Sequence, residues 1–467
     1  MSESFRADEA AAWTGATLTS GDPTTSFSGV SIDTRTVSEG ALFVAIKGPH
    51  HDGHGFLEQA ITGGASGLLV LRDSDTSDCR GGGIPILEAE DTQRALGALA
   101  AGHRARFRGP LLAITGSSGK TTTKEMCAAV FSELGPCLKT RGNLNNQFGL
   151  PLTLLSRERE DELAVVELGM NQPGEIAALA AIATPTLGLV TNVGTAHIEF
   201  LGTREQIAQE KGDLFAALPA DGVALVNCDD PRVVSQASRA PCRKLAYGLS
   251  HDAEVSAGNI RFEAPGSYHF ELRTPDGKVA VQIPGLAETT IINGLAAAAA
   301  GLAAGASLAQ VARGLARCRP EAGRMAPLQL ADEVTLIDDS YNANPQSMRS
   351  ALETLARLSG SGRGIAVLGD MGELGESAAA EHAAVGQAVA ELGIDWLFWL
   401  GERADTALQA AQDAGMKASR VRSAKTHSDA AHLVLDALAP RDWILVKGSR
   451  GMHMERVIDE LTSKGSR

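Results

Sequence analysis

The sequence predicts an α/β chain of three domains. A small N-terminal α/β unit (1–107) precedes a central P-loop domain on a parallel sheet (108–318), and a C-terminal Rossmann-like domain follows (319–467). Three observations lead there. A Gly-rich turn lies between an apolar strand and a helical pattern at 111–134. Short uninterrupted apolar runs, the mark of parallel strands buried on both faces, alternate with helical spacing through both large domains. The texture changes at 253–285, where alternating runs flank a turn, and at 319–324, a charged Pro/Gly stretch that reads as a linker. A chain of 467 residues suits two to four domains of roughly 150 residues each.

In the N-terminal unit, 30–32, 42–46 and 68–71 have strand character. A helix starts within 56–62, and Asp91 caps another running to 107. Polar clusters at 31–36 and 47–56 follow the first two strands and contain Ser31, Thr34, Arg35, Lys47 and Gly48. Small polar side chains with one Arg and one Lys suit a nucleotide-diphosphate ligand; plain turns with solvated ends use the same residues.

The central domain opens on Ile114-Thr115-Gly116-Ser117-Ser118-Gly119-Lys120-Thr121-Thr122-Thr123. Ile114 occupies the place of the first glycine of the long phosphate-loop pattern, so this is the shorter Gly-x-x-Gly-Lys-Thr form. Strand, Gly-rich turn and helix N-terminus together make a phosphate site, because free N–H groups and the helix dipole both favour an anion. Lys120 adds a mobile cation for the outer phosphates, and the Thr121 hydroxyl suits a magnesium ion. Two further buried strands, 163–166 and 187–190, end in Glu167 and in the segment carrying His197. Ligands gather beyond the carboxyl ends of parallel strands, so this carboxylate and imidazole either hold metal against phosphate or serve as loop caps.

Lys211 interrupts an apolar face. In a helix over 204–218, Ile207, Lys211, Leu214 and Phe215 share one side. Either the stem snorkels to the surface, or the amine is desolvated, neutral and nucleophilic. Beyond it, Pro275-Asp276-Gly277 marks a turn between antiparallel strands, and helices are predicted over 291–304 and 307–317. The Ala-rich run 296–300 is too short to span a bilayer and reads as a tightly packed helix. In the last domain, strands at 334–337, 365–368, 396–400 and 443–446 alternate with helices, and the first of them runs into Asp338-Asp339-Ser340-Tyr341-Asn342-Ala343-Asn344-Pro345. Those strand ends are expected to face the phosphate loop across a cleft.

Composition narrows the function. Hydrophobic content of 44% and charged content of 21% are ordinary for a soluble globular chain. A net charge of −14 opposes general nucleic-acid binding, since little is available to neutralise a phosphate backbone. Six scattered cysteines without a Cys-x-x-Cys pair suit neither a zinc site nor a disulfide framework. With no basic-then-apolar leader at 1–6 and no apolar run of ~18 residues, a cytoplasmic protein without membrane association is expected.

Taken in order, the phosphate loop TGSSGKTTTKEM, Glu167 in VVELGM, His197 in TNVGTAHIE, Lys211 in QEKGDLF, Arg324 and Asp339 resemble the Mur ligase family. These are ATP-dependent amide-forming enzymes of peptidoglycan synthesis, and the resemblance covers nearly the whole chain. Within the family, the stretches at 142–155, 338–348 and 367–375 are similar to the branch that joins D-alanyl-D-alanine to a UDP-N-acetylmuramoyl-tripeptide. The resemblance implies ATP and Mg2+ as cofactors and a P-loop ATPase-like central domain. It implies that Gly116, Ser117, Ser118, Gly119, Lys120, Thr121 and Thr122 bind the phosphates, and that Asn293, Arg324 and Asp339 contact the nucleotide. Thr121, Glu167 and His197 would hold metal, Lys120, His197 and Lys211 would serve catalysis, and Lys211 matches a lysine that family members carbamylate. Ser31, Thr34, Arg35, Lys47 and Gly48 would hold the UDP part, and Tyr341, Asn342 and Asn344 would help receive the dipeptide. A monomer acting on small molecules is expected. The Gly-x-His-Asn stretch common before the asparagine matching Asn293 is absent, 284–290 having no His. Rival readings are a ligase of the same build that adds glutamate to folate, and a non-catalytic nucleotide-sugar sensor. The coincidence of Lys120, Glu167, His197 and Lys211 opposes the sensor.

Overall fold

The computed structural model describes residues 2–465 apart from 197, 264, 265, 331, 332 and 361. Its centre is a six-stranded, all-parallel sheet in the order Arg243–Tyr247, Val223–Asn227, Leu187–Val190, Leu111–Thr115, Leu163–Glu167 and Cys137–Lys139. Leu111–Thr115 is buried at all five positions, as the continuous apolar run requires of a strand covered on both faces. It lies between Leu187–Val190 and Leu163–Glu167, so the three strand ends that carry Gly116, Glu167 and Thr191 are neighbours. The edge strands Cys137–Lys139 and Arg243–Tyr247 and the inner strand Val223–Asn227 were not anticipated. Cys137–Lys139 is short, and in Arg243–Tyr247 charged residues begin the run.

Two helical layers seal this sheet. Helix Thr289–Ala303 lies in one core with helix Lys120–Phe131, and Ala296 to Ala300 are all buried there. Small side chains permit the close approach that the alanine run suggested. The hairpin Ser267–Thr274 to Gly277–Pro284 turns at Pro275-Asp276, and Ser256–Glu263 completes an antiparallel trio.

The N-terminal sheet has five strands, with Thr17–Ser20 antiparallel at one edge and Gly29–Ser31 parallel at the other. Its helix Thr92–Arg104, capped by Asp91, packs into a core shared with the central sheet. There Arg104 donates to the carbonyls of Ala183 (2.8 Å) and Thr184 (2.9 Å). The third sheet runs Ala326–Gln329, Thr335–Asp339, Trp443–Lys447, Gly364–Gly369, Trp396–Leu400 and Val421–Ala424, parallel except at its first strand. Among the described residues no helix is long and apolar enough to cross a membrane. All six cysteines are free thiols.

Candidate active site

The loop 116–119 turns sharply between strand Leu111–Thr115 and helix Lys120–Phe131. Gly116 has φ 149°, and a Cβ there would overlap the Thr191 hydroxyl at 1.8 Å, so no other residue fits the turn. The end of strand Leu187–Val190 cradles the loop from beneath. Thr191 Oγ1 donates to the Ser118 carbonyl (2.7 Å), Asn192 Oδ1 accepts from the Ser118 N–H (3.0 Å), and Ser117 Oγ accepts from the Gly194 N–H (2.8 Å).

Lys120 begins the helix, and its Nζ folds back to the Gly116 carbonyl at 2.8 Å. Burial lowers its pKa; Glu167 opposes that shift and Arg324 reinforces it. The Thr121 hydroxyl donates to Glu167 Oε2 at 3.0 Å, and Asn145 donates to Oε1 at 2.9 Å. Thr140 Oγ1 accepts from the Glu167 N–H (3.0 Å), while the buried Lys124 holds the Thr140 carbonyl (2.8 Å). Glu167 is only 2% exposed. A hydroxyl and a carboxylate meet here as hard oxygen donors, a pair that fits a magnesium ion sharing its shell with phosphate and water. His197 lies outside the described residues.

The opposite wall comes from the last domain. Asp339 ends strand Thr335–Asp339, and its Oδ2 accepts from Lys447 Nζ at 2.5 Å. Lys447 ends the adjacent parallel strand and also donates to the Asn342 carbonyl (2.8 Å). Arg324 lies over the Tyr341 ring with its guanidinium carbon 4.2 Å from the centroid. Asn344 caps helix Pro345–Ser359 through the Ser347 N–H (2.8 Å), and its amide reaches the phosphate loop, donating to Ser118 Oγ at 3.1 Å.

One cleft of about 770 Å³ collects these groups. Ser117 to Thr122, Glu167, Asn293, Arg324, Asp339, Tyr341, Asn342 and Asn344 all line it. Asn293 packs against Gly119 and accepts from the Thr123 hydroxyl (3.2 Å). Gly116 forms the turn beneath. Among the lining residues given no individual role on sequence are Asn145, Asn192, Lys447 and Arg450. Lys447 and Asn192 had a signal, since each sits at a strand end; Asn145 stands in a loop whose partner, Glu167, is 22 residues away.

Lys211 does not line the cleft. It is 1% exposed on helix Arg204–Ala216, beside buried Ile207, Leu214 and Phe215, so the snorkelling alternative fails. Burial of each such Leu or Phe contributes about 1.5–3 kcal/mol and carries the lysine inside with them. Its pKa falls well below the usual lysine range, first through burial and then through repulsion by Lys120, which marks the two amines as neighbours.

Ser31, Thr34, Arg35, Lys47 and Gly48 are also absent from the cleft lining. They follow the parallel neighbours Gly29–Ser31 and Ala41–Val44, so both loops share the carboxyl edge of that sheet. Ser31 Oγ donates to the Asp33 carbonyl (2.9 Å), and Arg35 grips the Asp33 carboxylate in two-point fashion, holding its pKa down at about 2. Lys47 is 3.9 Å from Asp52, and the Gly48 N–H donates to the His51 carbonyl (2.8 Å).

Three regions match known domains: "Mur ligase family, catalytic domain" over 26–104, "Mur ligase middle domain" over 114–301 and "Mur ligase, glutamate ligase domain" over 323–450. The UDP-N-acetylmuramoyl-tripeptide--D-alanyl-D-alanine ligase of Escherichia coli K12 is 40% identical over 94% of each chain. This chain belongs to the Mur ligase family. Among solved structures, MurF from Acinetobacter baumannii superposes with a TM-score of 0.90 at 34% identity, over 99% of this chain and all of that one. MurF ligase from Thermotoga maritima, solved in complex with ADP, gives a TM-score of 0.82 at 28% identity over 94% and 98% of the two chains.

Proposed function

We propose that this Mur ligase joins D-alanyl-D-alanine to UDP-N-acetylmuramoyl-tripeptide, converting one ATP to ADP and phosphate per amide bond formed. The observation that carries the reading is the meeting of two motifs in one cleft. The phosphate loop with Lys120, Thr121 and Glu167 faces the 339–344 segment, and Asn344 touches Ser118. The relatives of the same name add support across the whole chain.

The charges dictate the chemistry. An oxygen of the peptide carboxylate attacks the γ-phosphorus and the bond to ADP breaks, so anion approaches anion. Lys120 and the N–H groups of 119–121, at the start of the helix, offset that repulsion and hold the transferring phosphoryl group. Thr121 and Glu167, with His197, would hold magnesium, which supplies further neutralisation between the phosphates. The dipeptide amine then attacks the acyl carbon. The C–O bond to phosphate breaks, a proton leaves the nitrogen, and an amide and inorganic phosphate result. Asn293, Arg324 and Asp339 are read as nucleotide contacts, and Tyr341, Asn342 and Asn344 as the dipeptide side. The loops at Ser31, Thr34, Arg35, Lys47 and Gly48 are read as the UDP end, which makes 1–107, 108–318 and 319–467 the UDP, ATP and dipeptide units. Lys211, its proton affinity lowered by burial and by Lys120 against the opposing charge of Glu210, is read as carbamylated: the nitrogen of its deprotonated form bonds the carbon of CO2, one N–H proton leaves, and an anion replaces a buried amine beside Lys120. A monomer in the cytoplasm, where ATP and the UDP substrate are both present, completes the proposal.

The test is ADP release and product mass over a panel of UDP-muramyl peptides, D-dipeptides, single amino acids and folates. D-alanyl-D-alanine with a UDP-muramyl-tripeptide is expected to give the fastest turnover. Faster turnover with single amino acids or folates would overturn the reading.

A further inference from the structure

Helix Pro345–Ser359 touches the central domain at both ends. Asn344 meets the phosphate loop at one end, and Arg357, about 20 Å away along the axis, meets Tyr268 and Leu286 of the central domain, the latter in a stretch that also lines the cleft. There the guanidinium donates to Tyr268 Oη (2.9 Å) and to the Leu286 carbonyl, and Tyr268 Oη itself donates to that carbonyl at 3.2 Å. The guanidinium carbon also lies 4.6 Å from the centre of the Phe262 ring, and Glu288 stands 4.0 Å from Nε. Burial pushes the Tyr268 hydroxyl up to about 12, so it remains a proton donor at neutral pH.

The segment gripped by Arg357 belongs to the central domain by chain order but to the last domain by packing. Leu286 is buried in one cluster with Ile337, Met348, Ala351 and Leu355, and Phe262 packs against the same cluster. Gly285 permits the insertion: at φ 157°, a Cβ would lie 2.4 Å from the Thr290 hydroxyl. Pro284 to Ala287 line the nucleotide cleft from this side, in the stretch that lacks the family's histidine.

We propose that Arg357, with Tyr268 and the Leu286 carbonyl, is a positioning latch that keeps the last domain docked on the nucleotide wall. The Asn344 end of the same helix is thereby delivered to the phosphate loop. A helix pinned at one end has a restricted arc at the other, so the latch limits how far the cleft opens while an acyl phosphate is present. This rests on the ligase reading. With the latch removed, water reaches the acyl carbon, the C–O bond to phosphate breaks, and the carboxylate returns with release of a proton. ATP is then consumed without an amide.

The experiment compares phosphate released with amide formed for wild type, Arg357→Ala, Arg357→Lys and Tyr268→Phe, with small-angle scattering of each in a non-hydrolysable ATP analogue and Mg2+. Wild type is expected to give one phosphate per amide. Arg357→Ala is expected to raise that ratio about two-fold or more. It should also raise KM for ATP about ten-fold, the scale of one lost charged hydrogen bond, and enlarge the radius of gyration. Arg357→Lys should restore part of each change, and Tyr268→Phe should shift each in the same direction by less. A ratio of one with wild-type dimensions in folded Arg357→Ala overturns the proposal; if that variant does not fold, the same result in Tyr268→Phe does so. Should wild type form no amide, the ligase reading fails separately, and the scattering comparison still decides the latch.

Discussion

Lys120 and Lys211 are two buried-amine problems with different solutions. Lys120 keeps a carbonyl partner at 2.8 Å and a carboxylate neighbour, Glu167, and in the proposed reaction its charge would stand beside phosphate. Lys120→Ala is expected to lower turnover by at least ~100-fold with little change in thermal midpoint, since one transition-state contact is lost and no core group is. ADP release and a melting curve check both parts. Lys211 sits among apolar side chains at 1% exposure, where a lone ammonium is costly. Enzyme equilibrated with labelled bicarbonate should show a carbamate carbon signal by NMR. Lys211→Ala should be inactive until a small carboxylate such as acetate is added. Full activity of the unsupplemented variant, or no signal in active wild type, would return the residue to a packing role.

Helix Pro345–Ser359 shows how one residue serves both an element and a site. Asn344 caps it through the Ser347 N–H, Pro345 occupies the first turn, and Met348, Ala351, Leu352 and Leu355 bury one face at helical spacing. All of that is legible in the sequence. The reach of the Asn344 amide to Ser118 is not, because the two residues are 226 positions apart. Asn344→Ser separates the roles: serine caps equally well but is too short to reach the phosphate loop. Its melting temperature should stay near wild type while turnover falls, and Asn344→Ala should lose about 1 kcal/mol of stability as well. Equal turnover in wild type and Asn344→Ser would remove the cross-domain contact from the mechanism.

For the whole molecule, the joint between the N-terminal and central domains carries a pH response. His103 is fully buried, packs edge-on against Phe5 and Trp13, and donates from Nε2 to the Glu3 carbonyl (3.1 Å). Burial, helped by Arg106, lowers its pKa from 6.5 to about 4. The unfolded chain therefore binds the extra proton below about 6.5 and the folded chain only near 4, so stability is complete above 6.5 and declines as pH falls through that window. The loss is on the order of 3 kcal/mol at the acid end. Denaturant unfolding between pH 7 and pH 4 should show the slope, and His103→Gln, which retains a donor for the Glu3 carbonyl, should flatten it.

The sequence by itself determined the fold class, the phosphate loop and the family. Those rest on local signals: continuous apolar runs for buried parallel strands, a Gly-rich turn before a helix, and polar residues at strand ends. It also singled out Lys211, because one charge on an apolar face is visible at a spacing of four. Edge strands such as Arg243–Tyr247 were not legible, since half-exposed strands need no continuous apolar run. Only the tertiary structure decided that Glu167 is held by Asn145 and Thr121, and that Asp339 pairs with Lys447. It alone decided that Leu286 enters the core of the next domain. Each of those is a contact between residues distant in the chain, set by which strands lie side by side. Strand order leaves no mark on local periodicity, because the same buried run fits any interior position of a parallel sheet.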